Sequence, residues 1–405
     1  MKNSKYPEQV ALLPYALKWL LLSLVVAALA GTASAFFLFA LDKVTAWRET
    51  HGWIIWFLPL AGFAVAWIYL KLGKEVEAGN NLIIDEIHDP KKIIPLRMAP
   101  LILGATITSH LFGASVGREG TAVQMGAALA DQLTPILRMD KQARRLLIMT
   151  GISAGFASVF GTPLAGAIFG LEVLMVGRMR YDAILPCFFA AIVGEQVGNL
   201  WGVHHMHFAV AIVPDITLPT LAATVVAGIA FGLVGMLFAR SVHGVGDLMK
   251  KHVAYAPWRP FIGGIVVAVA VWALDSQRYI GLGIPVINEA FQQPLPIWDA
   301  IGKLVFTVVS LGSSFKGGEV TPLFYIGATL GNALAPLLQL PFQTLAALGF
   351  VAVFAGASNT PIASTVMAIE LFGPTIGPYA GIACVVSYLF SGHTGIYRAQ
   401  RMQRD

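Results

Sequence analysis

Most of the chemistry legible in this chain sits on one carboxylate. Glu119 stands in Gly117-Arg118-Glu119-Gly120, within a predominantly apolar region and beside a glycine break. Ionisable side chains at membrane depth are costly, and by default they mark ion or proton paths. The glycines suggest that a helix begins here. A helix start carries unpaired N–H groups and a partial positive charge. A carboxylate at such a start mimics a bound anion. It can fill an anion site when charged and leave it when protonated, which would tie proton movement to anion movement. A structural alternative stands beside this one: Glu119 as a simple N-cap, or as a partner for Arg118.

Two further glycine breaks accompany the first. They are Ala78-Gly79-Asn80-Asn81 and Gly317-Gly318-Glu319-Val320-Thr321-Pro322. Each precedes an apolar run that can be helical, and Pro322 suits a first helical position. Irregular backbone at membrane depth is tolerated only when buried in protein or lining a cavity. Glycines such as Gly117 and Gly120 let the backbone approach a ligand closely. Several helix starts aimed at one spot make an anion site that needs no fixed cation. The plainer alternative is that these glycines serve tight helix packing.

Other candidates are weaker. Glu172 and Glu370 lie late in similar apolar segments and suit structural roles. Arg118 is read as the anchor of a loop end. The spacing of His204-His205-Met206-His207 does not suit a helix-borne metal site. Cys187 and Cys384 sit in apolar runs and read as packing residues. No metal or cofactor is expected. An enzyme would need a nucleophile–base pair or a metal cluster at membrane depth, and no His/Cys/Asp constellation of that kind is present.

The elements that would position Glu119 follow from composition. Of 405 residues, 57% are hydrophobic and 12% charged, about half the roughly 25% charged in a soluble domain. The apolar residues come in runs, among them 16–41, 53–70, 147–176, 218–239 and 321–353. A spanning helix needs about 20 such residues. The chain is therefore read as an all-α, polytopic membrane protein, with the lipid bilayer as its surroundings. Ala33-Ser34-Ala35 imitates a signal-peptide cleavage site, but the apolar run continues to Leu41, so one spanning helix is expected. The net charge of +5 is no nucleic-acid signal here. Lys and Arg cluster at Lys91/Lys92/Arg97, Arg138/Lys141/Arg144/Arg145, Arg178/Arg180, Lys250/Lys251/Arg259 and Arg398/Arg401/Arg404, and 199–218 has none. That asymmetry places the clusters and both termini in the cytoplasm.

The chain also repeats itself. Gly117, Gly126, Ala127 and Leu129 coincide with Gly318, Gly327, Ala328 and Leu330 when the sequence is shifted by 201 positions. Ala154, Phe156, Ala157, Thr162, Pro163, Ala165 and Glu172 match Ala352, Phe354, Ala355, Thr360, Pro361, Ala363 and Glu370 at a shift of 198. Val320 stands where Glu119 stands in the first half, so the repeat itself does not demand the charge. The expected organisation is an N-terminal segment 1–15, a first membrane repeat 16–211, a seam 212–219, a second repeat 220–390 and a terminal segment 391–405. Duplicated halves of transporters meet at the midplane and build the substrate site from broken helices. The repeat alone leaves open whether the halves are inverted.

Together these residues resemble the CLC family of anion channels and anion/proton exchangers, over about residues 20–400. Gly117-Arg-Glu-Gly resembles the gating-glutamate motif G-R-E-G-P, with Thr121 for proline. Gly318-Glu-Val-Thr-Pro322 falls where the family has G-x-F-x-P. Tyr397 falls at the tyrosine of the last helix, and Asn80 at the serine of G-S-G-I-P. Gly281-Leu-Gly-Ile-Pro285 matches G-S-G-I-P more closely by letters, but it follows the glutamate motif and is rejected. The resemblance implies an inverted repeat, a homodimer and one pathway per subunit. It makes Glu119 the gate and proton carrier, with Asn80, Val320, Thr321 and Tyr397 lining the anion path. Pro163-Leu-Ala-Gly166 would place an inner glutamate at Val173, which is apolar. No cytoplasmic regulatory domain is expected after the membrane part.

These departures are similar to the branch that exports fluoride in exchange for protons across a bacterial inner membrane. A chloride/proton exchanger or passive chloride channel is the alternative. Fluoride is strongly hydrated, so its water must be replaced by strong donors. Asn80, Thr321 and Tyr397 offer such donors, though they could equally hold chloride.

Overall fold

The computed structural model describes residues 8–205, 208 and 210–402. Met206 and His207 of the histidine run, Arg404, and Lys2 and Lys5 lie outside the described residues. The fold is helical almost throughout. The first half holds α1 (Glu8–Thr50), α2 (Leu58–Leu72), α3 (Asn80–His88), α4 (Met98–Phe112), α5 (Glu119–Asp131), α6 (Leu133–Ile136), α7 (Lys141–Phe160), α8 (Pro163–Glu172) and α9 (Ile184–Leu200). The second holds α10 (Leu218–His252), α11 (Trp258–Leu274), α12 (Ile284–Ala290), α13 (Trp298–Gly312), α14 (Val320–Leu338), α15 (Phe342–Ser358), α16 (Pro361–Phe372) and α17 (Gly377–Phe390). Two short strands, β1 (Met175–Val176) and β2 (Arg401–Met402), pair in parallel.

Among the described residues, six helices are long and apolar enough to cross a membrane. One is α1, which runs unbroken through Ala33-Ser34-Ala35. The outer helices expose large apolar side chains, including Leu21, Leu24, Leu60, Leu233, Leu237 and Trp272. In water such a surface would aggregate; in lipid it is the contact face. The inner helices α5, α7, α14 and α15 are buried along most of their length. The chain is a multi-pass membrane protein.

The halves are inverted, and hydrogen bonds show it directly. Gly117 and Gly318 form an antiparallel bridge, with N–H to O distances of 2.6 and 2.8 Å in the two directions. The helices that follow them, α5 and α14, therefore leave the bridge in opposite directions. At the other end of the repeat, the Glu172 carboxylate accepts from Ile362 N–H at 3.1 Å and Ala363 N–H at 2.8 Å. The Glu370 carboxylate accepts from Leu164 N–H at 2.9 Å and Ala165 N–H at 2.8 Å. Each glutamate at the C-terminal end of one helix thus caps the N-terminus of its partner, so α8 and α16 run antiparallel. Such mutual contacts are the signature of a two-fold axis. A third pair agrees: Asp131 accepts from Ile94 N–H and Asn332 from Leu295 N–H, both at 2.7 Å.

Three local features matter for the site. All three glycine breaks start helices, at Asn80, Glu119 and Val320. Pro322 is the third residue of α14 rather than the first, a position whose N–H also has no partner within the helix. Tyr397 lies in an irregular segment after α17, not in a last helix. Left-handed backbone at Gly392 (φ 63°) and His393 (φ 56°) turns the chain away from the helix axis.

Candidate functional site

The Glu119 side chain folds back onto the start of its own helix and across to the other repeat. It is the first residue of α5 and 1% exposed. One carboxylate oxygen, Oε2, accepts from Arg118 N–H at 3.1 Å and from Thr321 N–H at 3.1 Å. The other, Oε1, accepts from the Thr321 hydroxyl. Arg118 Nε stands 3.7 Å from Oε1. The carboxylate therefore rests between the N-termini of two antiparallel half-helices, where both helix dipoles favour negative charge. Neither a mere N-cap nor a simple partner for Arg118 describes this, because Thr321 belongs to the opposite repeat.

Glycine permits the convergence. A Cβ at Gly120 would lie 3.1 Å from Asn80 Nδ2 and 3.3 Å from Gly318 Cα. A Cβ at Gly318 would lie 2.9 Å from Gly120 N. The starts of α3, α5 and α14 thus meet at distances that leave little room for side chains. Asn80 and Gly120 bring the third break to the same spot as the other two.

Two vestibules lie near this spot and share no lining residue. One, with a volume of about 720 Å³, is lined by Asn80, Asn81, Gln124, Lys316, Glu319 and Tyr397, and also by Lys74, Lys250 and Arg259. The other, about 570 Å³, is lined by Asp42, Arg48, Arg118, His204, Arg278 and Glu289. A hollow of about 40 Å³ beside Glu119 and Thr321 is walled by Phe160, Phe324 and Phe350. Asn80 and Tyr397 also line a small hollow of about 10 Å³, here termed the neck, with Ile83, Ile84, Val123, Ile152, Phe169 and Val173. Val320 is buried and follows Glu319 directly. The rejected Gly281–Pro285 motif contributes to the second vestibule, away from Asn80.

Sequence reasoning passed over Glu319. It is half-buried in the first vestibule, and its Oε2 is buried without a hydrogen-bond partner among the described residues. Asn80 Oδ1 is in the same condition. The rule that singled out Glu119 applies equally to Glu319: it is a carboxylate in a glycine break at membrane depth. Lys316, whose Nζ lies 4.5 Å from the Tyr69 ring centroid, was also missed. No group of three His, Cys, Asp or Glu residues suited to a metal is found among the described residues.

Residues 61–392 match the family model described as voltage gated chloride channel. A "chloride/fluoride channel protein" of Pseudomonas syringae pv. tomato is 65% identical over 408 residues, covering 99% of this chain and 90% of that protein. The "H(+)/Cl(-) exchange transporter ClcA" of Cronobacter sakazakii is 28% identical, covering 87% of this chain and 81% of that one. The crystal structure of a CLC-type fluoride/proton antiporter superposes with a TM-score of 0.93 at 37% identity, covering 99% of this chain and all of that one. By family model, identity and fold alike, the chain belongs to the CLC family, the voltage gated chloride channels.

Proposed function

We propose that this chain is a fluoride/proton antiporter that exports fluoride in exchange for inward protons, with Glu119 as gate and proton carrier. The observation that carries the proposal is the Glu119 carboxylate seated on the amides of Arg118 and Thr321. A carboxylate held this way stands where a small anion would be held. Protonation weakens its hold on the helix starts and frees the place for an anion. Val173 offers no inner carboxylate, so Glu119 takes the proton through the neck or passes it to Glu319. The partnerless Glu319 Oε2 supports the second route.

Asn80, Gly117, Gly120, Val320, Thr321 and Tyr397 line the anion path in this reading. The donors Asn80, Thr321 and Tyr397 suit a small anion, and the choice of fluoride over chloride rests on the relatives. The structural relative is a fluoride/proton antiporter and the Pseudomonas relative carries fluoride in its name. In this reading the vestibule with Lys74, Lys250, Arg259 and Lys316 faces the cytoplasm of a bacterial inner membrane, and its basic lining supports that orientation. The protein works as a homodimer with one pathway per subunit.

Purified protein in liposomes tests the ion assignment. Fluoride and chloride efflux are compared while external pH is recorded. Fluoride efflux with proton uptake and little chloride movement is expected. Equal or faster chloride efflux would make the chain a chloride exchanger or channel of the same family.

A further inference from the structure

The segment that carries Tyr397 belongs to no helix, yet it is tied down along its length. Ile396 N–H donates to Ala357 O at 2.8 Å. Ala399 N–H donates to Asn81 Oδ1 at 3.0 Å. Gln400 Nε2 donates to Val173 O at 2.9 Å and to Ser358 O at 2.8 Å. Gln400 Oε1 accepts from Asn359 Nδ2 at 3.1 Å. Immediately afterwards, Arg401 and Met402 pair with Met175 and Val176.

These anchors are not scattered. Asn81 is the chain neighbour of Asn80, and Val173 is itself a wall of the neck that Asn80 and Tyr397 line. Gln400 bridges the two repeats, since Val173 ends the helical part of one segment and Ser358 ends α15 of the other. The neck has a volume of about 10 Å³, near the minimum for one water molecule, about 10–15 Å³. At that size a shift of a fraction of an ångström in Tyr397 changes what fits. An irregular strap has no helical ladder to fix it, so it is held by the Ile396 backbone bond, the pairing of Arg401 and Met402, and the side chains of Asn81 and Gln400.

We propose that Asn81 and Gln400 are positioning residues that hold Tyr397 against Asn80 and Val173, fix the width of the neck, and so set discrimination among small anions. This rests on the anion-transport reading above. The strap adds an inner constriction whose width depends on both repeats at once, whereas Glu119 gates from the other side of the helix starts.

The test uses the full chain in liposomes and reads the ratio of fluoride to chloride efflux. Asn81→Ala and Gln400→Ala are compared with the parent and with Asn81→Asp, which keeps the Oδ1 acceptor. Fluoride and chloride carry the same charge, so repulsion from the carboxylate added by Asn81→Asp falls chiefly on total flux. Each alanine variant is expected to shift the ratio about five- to tenfold, the equivalent of one lost hydrogen bond, while Asn81→Asp retains it. Both residues are half-buried, and each variant is accepted only if it elutes as a single species. Asn81→Ser, too short to reach Ala399, is read in place of an alanine variant that does not. An unchanged ratio in the folded variants overturns the proposal, even if total flux falls. A parent protein that carries neither anion overturns the transport reading instead.

Discussion

In the proposed cycle Glu119 serves as both gate and proton carrier, because its surroundings reward negative charge without supplying a fixed counter-ion at contact. Its nearest partners are two backbone amides and one hydroxyl. Arg118 is more distant, at 3.7 Å. Hydrogen bonds to a charged acceptor contribute about 1.5–3 kcal/mol each, enough to hold the carboxylate yet replaceable by bonds to an incoming anion. In the proposed cycle Thr321 is the donor that changes partner, from Glu119 to fluoride. Thr321→Val is therefore expected to lower fluoride turnover about tenfold, in line with one such bond. Thr321→Ser should recover most of it, as measured by fluoride efflux at fixed protein. Full turnover in the valine variant would remove Thr321 from the path. Glu119 was legible in the sequence because a carboxylate in an apolar glycine break is conspicuous. Its seat on Thr321 was not, since their helix starts are 201 positions apart in the chain.

At the scale of elements, the fold is held by short helices that cap one another. Glu172 and Glu370 each close two amides of the opposite repeat. Arg144 plays a similar part near α3: it donates to Asp131 at 2.8 Å through two nitrogens and to Glu86 at 3.0 Å. Glu86 in turn accepts from Lys91 N–H at 2.9 Å. Glu172→Ala should cost about 3 kcal/mol through two lost charged hydrogen bonds, seen as a lower midpoint in thermal unfolding of the solubilised protein. Glu172→Gln, which keeps one acceptor, should retain proton-coupled transport. Loss of coupling in a folded Glu172→Gln protein would put Glu172 on the proton route and contradict its capping role. The matching places of the two glutamates were visible in the repeat, and so was their structural character. The reciprocity of their bonds was not visible, because it depends on inversion. A linear repeat carries no sign of direction. The same limit hid the strap: Asn81, Val173 and Gln400 are far apart in sequence and come together only when α3, α8 and the chain end share one face.

At the scale of the molecule, the charge asymmetry supports one orientation. Arg145 reaches His88 O, His88 reaches Leu174 O, and Arg398 pairs with Asp247. Arg401 and Met402 pair with Met175 and Val176, next to Leu174, so the basic cluster around Arg145 shares one face with the segment after α17. The opposite face carries the bonds from Tyr379 to Pro214 and Asp215. On the proposed orientation the basic face is cytoplasmic. Cys187 and Cys384 are buried, so added thiols report topology cleanly. Lys141→Cys should react with an impermeant maleimide only in inverted vesicles, and Asn199→Cys only in intact cells. The reverse pattern would invert the assigned direction of transport. Hydropathy and charge in the sequence revealed the membrane class and this asymmetry, because both follow from composition of local segments. Vestibules, neck and aromatic wall depend on packing between distant segments and emerged only with the fold.

The central claim is that one carboxylate couples anion and proton movement. It is tested most directly by loading liposomes with fluoride and recording proton movement through the parent protein and Glu119→Gln. Outward fluoride flow is expected to drive protons inward through the parent protein, and Glu119→Gln is expected to move no protons against a gradient at any fluoride load. Proton pumping that persists in Glu119→Gln would contradict it.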